Sequence, residues 1–171
     1  MHLQDPGAGL QGSRIAVVGA GSWGTALALQ FARVGCDVRL GGVVELDLLE
    51  DMVGDRENKR YLPGVEFPDN LTVHPDLADC IDGARDVLIV VPSHGLRDTL
   101  TQIKPLLGDD ARICWATKGF ELSTGKLPHQ VASEVLGPDI PVATLSGPTF
   151  AKEVAEGLPT AMTIASSDAA F

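Results

Sequence analysis

Short apolar runs alternate along this chain with longer stretches in which apolar residues recur at helical spacing. The run at 87–91 (VLIVV) is apolar at every position, as expected for a central strand buried on both sides. Weaker runs of the same kind predict strands at 14–18, 36–40, 71–73, 112–117, 141–145 and 160–165. The stretches between them predict helices at 23–34, 45–53, 76–81, 96–107, 127–136 and 150–155. This alternation predicts an α/β fold: a Rossmann-like, doubly wound, mostly parallel sheet with helices on both faces.

The pattern also divides the chain. Residues 1–13 carry no periodic signal and are interpreted as a flexible leader, and residues 14–171 form one domain. The polar segment 56–70 contains Pro63, Gly64 and Pro68, which predicts a long surface loop. The chain stops directly after a predicted strand, which favours a fragment of a longer protein.

The net charge of the chain limits which kinds of partner it is expected to bind. The chain has 23 Asp and Glu against 13 Lys and Arg, a net charge of -10. This excess argues against nucleic acid and anionic membranes as partners, but local backbone dipoles can still hold an anionic ligand. No apolar run approaches the roughly 20 residues that a membrane-spanning helix needs.

The scattered cysteines Cys36, Cys80 and Cys114 favour buried thiols in a reducing cytoplasm, with no metal site.

A glycine-rich turn stands between the first predicted strand and the first helix. Residues 19–24 (GAGSWG) have the G-x-G-x-x-G spacing, and this context is typical of dinucleotide binding. Gly19 permits the tight turn, Gly21 lets a pyrophosphate approach the backbone, and Gly24 lets the helix pack closely. The N–H groups at the helix start then face the anion. The alternative is a turn that only connects strand and helix.

The choice between NAD and NADP stays open. An acidic residue about 20 positions after the glycine turn would hold a ribose hydroxyl, whereas Arg would suit a 2′-phosphate. Neither stands at the end of the second predicted strand, where residues 40–45 are LGGVVE. Glu45 comes late for this role and is interpreted as a solvated residue or a cap of the next helix.

Three further segments follow predicted strands, where open α/β sheets bind their ligands. Pro92 and His94 follow the central strand, and His94 either faces a nicotinamide or simply begins a helix. Lys118 either holds a phosphate or carbonyl oxygen or is a surface lysine. Thr149, in SGPTFAKE, is interpreted as an N-cap in front of a backbone nest for phosphate, or as part of an ordinary helix entry.

These motifs together (GAGSWGTALA, RENKRYLPG, VPSH, ATKGFE and SGPTFAKEVAEGLPTA) resemble the bacterial NAD(P)-dependent glycerol-3-phosphate dehydrogenases from about residue 14 to residue 171. The resemblance implies reversible hydride transfer between NAD or NADP and the dihydroxyacetone phosphate/sn-glycerol 3-phosphate pair, for phospholipid synthesis in the cytoplasm. By the family's pattern, Ser22, Trp23, Lys118 and Ala151 would contact the cofactor. Lys118, Gly147 and Thr149 would hold the substrate. The candidate cofactor site therefore comprises Gly19, Gly21, Ser22, Trp23, Gly24, Pro92, His94, Lys118 and Ala151.

Two departures from the family limit what this chain is expected to do. After the second strand the family carries W-G and a basic residue or His, and residues 41–43 here are GGV. The family's general-base lysine and phosphate-binding Arg-Asn pair belong to a helical second domain, so no catalytic residue is assigned here. The chain alone is expected to bind dinucleotide and to be catalytically incompetent. The loop at 56–63 resembles the family's R-x-N-x-x-Y-L-P segment and is expected beside the pocket.

Partners and alternatives follow from the same reasoning. The substrate is a small-molecule phosphate, and apolar surface that a second domain would cover favours self-association, such as a homodimer. Two other functions remain open: another two-domain, hydroxyacid-type dehydrogenase, or a stand-alone dinucleotide-binding or sensing module.

Overall fold

A seven-stranded sheet organises the fold in a computed structural model that describes residues 11–169 and 171. The predicted leader, 1–13, falls mostly outside these residues. The strands are β1 (Arg14–Val18), β2 (Asp37–Gly41), β3 (Leu71–His74), β4 (Asp86–Ile89), β5 (Arg112–Trp115), β6 (Val142–Ser146) and β7 (Thr163–Ser166). The helices are α1 (Ser22–Arg33), α2 (Leu46–Asp55), α3 (Leu77–Ile81), α4 (Leu96–Ile103), α5 (Pro128–Leu136) and α6 (Ala151–Ala155).

The strand order is β3-β2-β1-β4-β5-β6-β7. All neighbouring pairs are parallel except β6 and β7, which are antiparallel. The chain winds outward from β1 to β3 and then returns to place β4 on the other side of β1. The order therefore reverses between β1 and β4, and a crevice opens there beyond the carboxyl ends of the strands. This arrangement confirms the predicted doubly wound, mostly parallel sheet.

Two apolar layers cover the sheet, and β1 contributes to both. Ile15 and Val17 pack with α1, α2 and α6, whereas Ala16 and Val18 pack with α3, α4 and α5. Successive side chains of a strand point to opposite faces, so a strand buried on both faces must be apolar throughout. The loops that follow β1, β2 and β4 meet at one edge of this packed sheet.

Three helix predictions need correction. The helix predicted at 96–107 ends as α-helix at Ile103 and continues as a 3-10 turn, Lys104–Leu106, because Pro105 has no N–H to donate. The N-cap of α6 is Phe150, so Thr149 is not the cap. Glu45 occupies the N-cap position of α2, but its side chain makes no capping hydrogen bond.

The last strand also differs from its prediction. It covers Thr163–Ser166 instead of 160–165, and it runs antiparallel to its neighbour. The apolar pattern gave its approximate place but not its direction, because strand direction depends on how the preceding connection returns to the sheet. None of the helices among the described residues has the length and apolar character needed to cross a bilayer.

Candidate dinucleotide site

A cleft of about 490 Å³ lies at the point where the strand order reverses. The loops after three neighbouring strands line it: Gly19 to Gly21 after β1, Gly42 to Glu45 after β2, and Val90 to Gly95 after β4. Tyr61 and residues of α4 complete the wall. The volume and position suit a ligand of cofactor size.

The glycine turn is built so that one of its glycines stays open. A Cβ atom on Gly19, whose φ is +125°, would lie 2.1 Å from the carbonyl oxygen of Val90. A Cβ atom on Gly24 would lie 1.8 Å from the carbonyl oxygen of Gly19. Gly21, in contrast, has no heavy atom within 4 Å of the Cβ position. The backbone of the turn is therefore tightly packed at Gly19 and Gly24, whereas the side of Gly21 that faces the cleft is open.

The amino end of α1 faces that space without a cap. Gly21 is the N-cap residue, no side chain among residues 11–169 caps the helix, and its first turn contains no acidic residue. The first N–H groups of a helix have no intrahelical acceptor, and the helix dipole adds partial positive charge. This end of the helix is suited to a phosphate group. The open Gly21 and the uncapped helix thus fit the pyrophosphate of a dinucleotide.

Asn58, in the loop between α2 and β3, holds the glycine turn from outside the sheet. Its side chain is completely buried. Its Nδ2 donates to the carbonyl oxygen of Ala20 and to Oγ1 of Thr25, both at 2.9 Å. Its Oδ1 accepts from the backbone N–H of Tyr61 at 3.0 Å. A buried amide with three good hydrogen bonds fixes the two segments together. Sequence reasoning put this loop beside the pocket but missed the role of Asn58.

The same loop closes the cleft near the end of β2. The hydroxyl of Tyr61 donates to the Glu45 carboxylate at 2.8 Å, and Arg60 lies 3.3 Å from that carboxylate. The hydrogen bond to Glu45 raises the pKa of Tyr61 above its ordinary value. Glu45 is exposed, as the sequence predicts, and its carboxylate also forms part of the cleft wall.

The predicted groups after β4 and β5 occupy neighbouring loops. Pro92 and His94 line the cleft and are exposed, and His94 lies in a short 3-10 turn, Ser93–Gly95. Lys118 is exposed beyond the end of β5. The next residue, Gly119, has a φ of +88°, and its Cβ position is 3.9 Å from Oγ of Ser93. The Lys118 loop thus lies against the turn that carries His94.

An ion-pair network fixes that loop. Glu121 is buried, and its two carboxylate oxygens accept from Arg97 of α4 at 2.8 and 3.0 Å. Arg97 also donates to Glu134 of α5 at 2.9 Å, and Thr124 donates to Glu121. The Arg97 guanidinium lowers the pKa of Glu121 to about 2. A bidentate Arg–carboxylate pair has a specific geometry, so it fixes the loop against α4.

The candidate residues after β6 lie at the same edge of the sheet but do not line the cleft. A Cβ atom on Gly147 would be 2.8 Å from the carbonyl oxygen of Ala161, so the backbone there is tightly packed. Oγ1 of Thr149 is buried and has no hydrogen-bond partner among the described residues. Ala151 begins α6, which packs against α1. A buried hydroxyl without a hydrogen-bond partner is unusual and indicates that a bound group supplies the missing hydrogen bond.

The structure thus brings together only part of the predicted set. Gly19, Gly21, Pro92 and His94 share the cleft, while Gly24 is buried behind the turn. Ser22 and Trp23 begin α1: Ser22 is exposed, and the Trp23 ring packs against the core of the α1 face.

The fold and the cleft define a Rossmann-like α/β domain of the class that binds dinucleotides. Comparison with known sequences then identifies the family. The model for the N-terminus of NAD-dependent glycerol-3-phosphate dehydrogenases matches residues 14–171. This chain belongs to that oxidoreductase family, as its N-terminal domain.

Individual relatives agree with the family. Glycerol-3-phosphate dehydrogenase [NAD(P)+] of Edwardsiella ictaluri is 54% identical over 159 residues, which are 92% of this chain and 46% of that protein. The protein of the same name from Serratia proteamaculans is 55% identical over 91% of this chain and 45% of its own length. The crystal structure of glycerol-3-phosphate dehydrogenase from Coxiella burnetii superposes with a TM-score of 0.88 at 44% identity, over 93% of this chain and 48% of that one.

This chain spans a little under half the length of these relatives. Their names support NAD or NADP as the cofactor class. The family match also decides against another hydroxyacid-type dehydrogenase.

Proposed function

We propose that this chain binds NAD or NADP in the cleft between β1 and β4, as the cofactor domain of an enzyme that interconverts dihydroxyacetone phosphate and sn-glycerol 3-phosphate. The observation that carries the proposal is the glycine turn. Gly21 leaves an open approach to the uncapped end of α1, while Gly19 and Gly24 are too tightly packed to carry a side chain. This combination suits a turn whose backbone a ligand approaches closely.

The proposed cofactor contacts follow the cleft. Gly19, Gly21, Ser22 and Trp23 hold the pyrophosphate through the backbone and the helix dipole, and Gly24, buried behind them, lets α1 begin close to the sheet. Pro92 and His94 form the wall after β4, and Lys118 and Ala151 complete the set toward the substrate. When bound, the nicotinamide supplies the hydride that reduces the ketone.

Lys118, Gly147 and Thr149 are proposed to hold the phosphate substrate. Lys118 is an exposed cation in a loop fixed by the Glu121–Arg97 pair, which suits an anionic ligand. The Thr149 hydroxyl is buried and has no hydrogen-bond partner in the described part of the chain, which supports a polar ligand at that position. Gly147 is proposed to contribute through its backbone, since the carbonyl oxygen of Ala161 already occupies the space beside its Cβ position.

Reduction of a ketone leaves an alkoxide, which needs a proton donor. We assign no such group to this chain, because the family resemblance places it in a helical second domain. We therefore expect the 171-residue chain alone to bind dinucleotide and to turn over little or no dihydroxyacetone phosphate.

The location, partners and use of the product belong to the same proposal. We propose a cytoplasmic location, a small-molecule phosphate as partner, and phospholipid synthesis as the use of the product. The exposed apolar side chains of Phe120, Leu122 and Phe150 support self-association, such as a homodimer. Light scattering that gives one protomer mass at high protein concentration would argue against the homodimer.

The test compares two glycine substitutions in this chain. Gly21→Ala introduces a methyl group where the Cβ position has no neighbour, at a φ of -72° that any residue adopts. The fold should survive while NADH and NADPH affinity falls at least about tenfold, because the methyl group blocks the backbone. Gly54→Ala, in the last turn of α2, also has an open Cβ position and serves as the control.

Binding is followed by cofactor fluorescence and tryptophan quenching, and folding by circular dichroism. Saturable binding that Gly21→Ala abolishes and Gly54→Ala leaves intact supports the proposal. A folded chain that binds neither cofactor contradicts it. Rapid turnover of dihydroxyacetone phosphate by this chain alone would contradict the assignment of the proton donor to another domain.

A further inference from the structure

The cleft carries an unusual charge pattern. Its charged lining residues, among those the structure describes, are Glu45 and Asp98, and no Lys or Arg lines it. The imidazole of His94 also lines it. A 2′-phosphate brings further negative charge to such a wall, whereas a ribose hydroxyl brings none.

Glu45 lies at the point of the cleft that follows β2. In this class of fold the residue after the second strand lies beside the adenosine ribose. Glu45 stands four residues after the end of β2 at Gly41, and it still lines the cleft. Its φ of +55° lies in the left-handed region that residues other than glycine rarely adopt.

Two residues of the loop at 56–63 hold the Glu45 carboxylate in place. The Tyr61 hydroxyl donates to it at 2.8 Å, and Arg60 lies 3.3 Å from the same oxygen. The Arg60 guanidinium also stacks 5.4 Å from the centre of the Tyr61 ring. A carboxylate so held keeps lone pairs available for a further donor.

We propose that Glu45 makes this site prefer NADH to NADPH. Its carboxylate accepts a hydrogen bond from the ribose 2′-hydroxyl of NADH and repels the 2′-phosphate of NADPH. Tyr61 and Arg60 position the carboxylate. The inference rests on the proposed dinucleotide site. Glu45 is thus a specificity residue, and Tyr61 and Arg60 are positioning residues.

The test measures the ratio of the NADPH to the NADH dissociation constant in the 171-residue chain. We expect a ratio of about ten or more in the original chain, and a fall of about tenfold in Glu45→Gln, which keeps the shape and removes the charge. Asp47→Asn is the matched control, because Asp47 lies two residues on, in the first turn of α2, and lines a separate pocket. Asp47→Asn should leave the ratio within about twofold, since Asp47 does not line the cleft and water and salt screen its charge from the ligand.

Arg60→Gln provides a second measurement. Removal of the guanidinium leaves the Glu45 charge less compensated, so NADPH should weaken further and the ratio should rise. A ratio that still rises when Arg60→Gln is added to Glu45→Gln would assign the effect to Arg60 itself and count against the inference. A ratio that stays constant in Glu45→Gln, or falls equally in Asp47→Asn, overturns the inference and leaves the proposed function standing. If the folded original chain binds neither cofactor, the proposed function fails and this inference fails with it.

Discussion

The side-chain amide of Asn58 lies 2.9 Å from the carbonyl oxygen of Ala20, at the centre of the glycine turn. These two residues belong to segments 38 positions apart. The conformation of the turn therefore depends on a loop that contributes no residue to the G-x-G-x-x-G pattern.

Asn58→Ala should weaken both the fold and the cofactor site. The substitution leaves a buried carbonyl, a hydroxyl and an N–H without their partner, so we expect a loss of about 3 kcal/mol in unfolding free energy. NADH affinity should fall as well, because the turn loses its outer support. Urea unfolding and a fluorescence titration measure the two effects.

Asn70→Ala is the control for this prediction. Asn70 also bridges two carbonyls, those of Ala32 and Cys36, at 2.7 and 2.8 Å, but at the far end of α1. It should lower stability and leave the affinity of the remaining folded protein unchanged. Equal losses of affinity in both variants would mean that Asn58 acts only through general stability.

Gly24→Ala should destabilise the fold much more than Gly21→Ala. The added methyl group would lie 1.8 Å from a backbone oxygen that cannot rotate away, whereas the one on Gly21 meets nothing. We expect a loss of more than about 3 kcal/mol for Gly24→Ala, against at most about 1 kcal/mol for Gly21→Ala. Urea midpoints of the two variants measure this difference, and equal midpoints would contradict it.

The Glu121–Arg97 pair predicts a pH dependence of stability. The pKa of Glu121 is lowered from 4.5 to about 2 by the hydrogen bonds from Arg97 and Thr124. Since the folded pKa is below the ordinary value, the stabilisation is fully present above pH 4.5 and is lost as the pH falls toward 2. Urea midpoints should fall over that range, and less steeply in Glu121→Gln. Parallel pH profiles for the two proteins would rule out this role.

The cysteines should react slowly with a thiol reagent at pH 8 while the chain is folded. Cys36 and Cys80 are buried and Cys114 is half-buried. Burial raises the pKa of Cys80 and of Cys114 to about 12, and it raises the pKa of Cys36 as well. The reactive thiolate is therefore scarce. After unfolding in urea all three should react, and rapid labelling of the native chain would disprove the prediction.

The strand and helix pattern was predictable because both periods are local properties of the chain. The all-apolar run around Val87 predicts a strand that is central in the sheet, and Ile89 at its end is completely buried. Helix ends were less predictable, as the 3-10 turn at Pro105 illustrates, since a change of helix type needs no change in apolar spacing.

The candidate site was predictable where its residues follow one another closely along the chain. The glycine turn needs three glycines at fixed spacing, and the sequence displays them. The positions of Glu45 and Asn58 depend instead on a left-handed backbone turn and on a hydrogen bond between distant segments. No periodicity encodes either of these, so only the folded chain reveals them.

The close contact between Gly19 and the carbonyl of Val90 bears on the order in which the molecule folds. Residues 14–33 contain the whole fingerprint, yet a peptide of that length lacks both Val90 and Asn58. We expect the turn to acquire its final conformation only after the segment of about 70 residues between Gly19 and Val90 has closed into a loop, which costs conformational entropy. The cofactor should therefore bind only to chains that have completed this long-range closure, and it should not act as an early nucleus for folding.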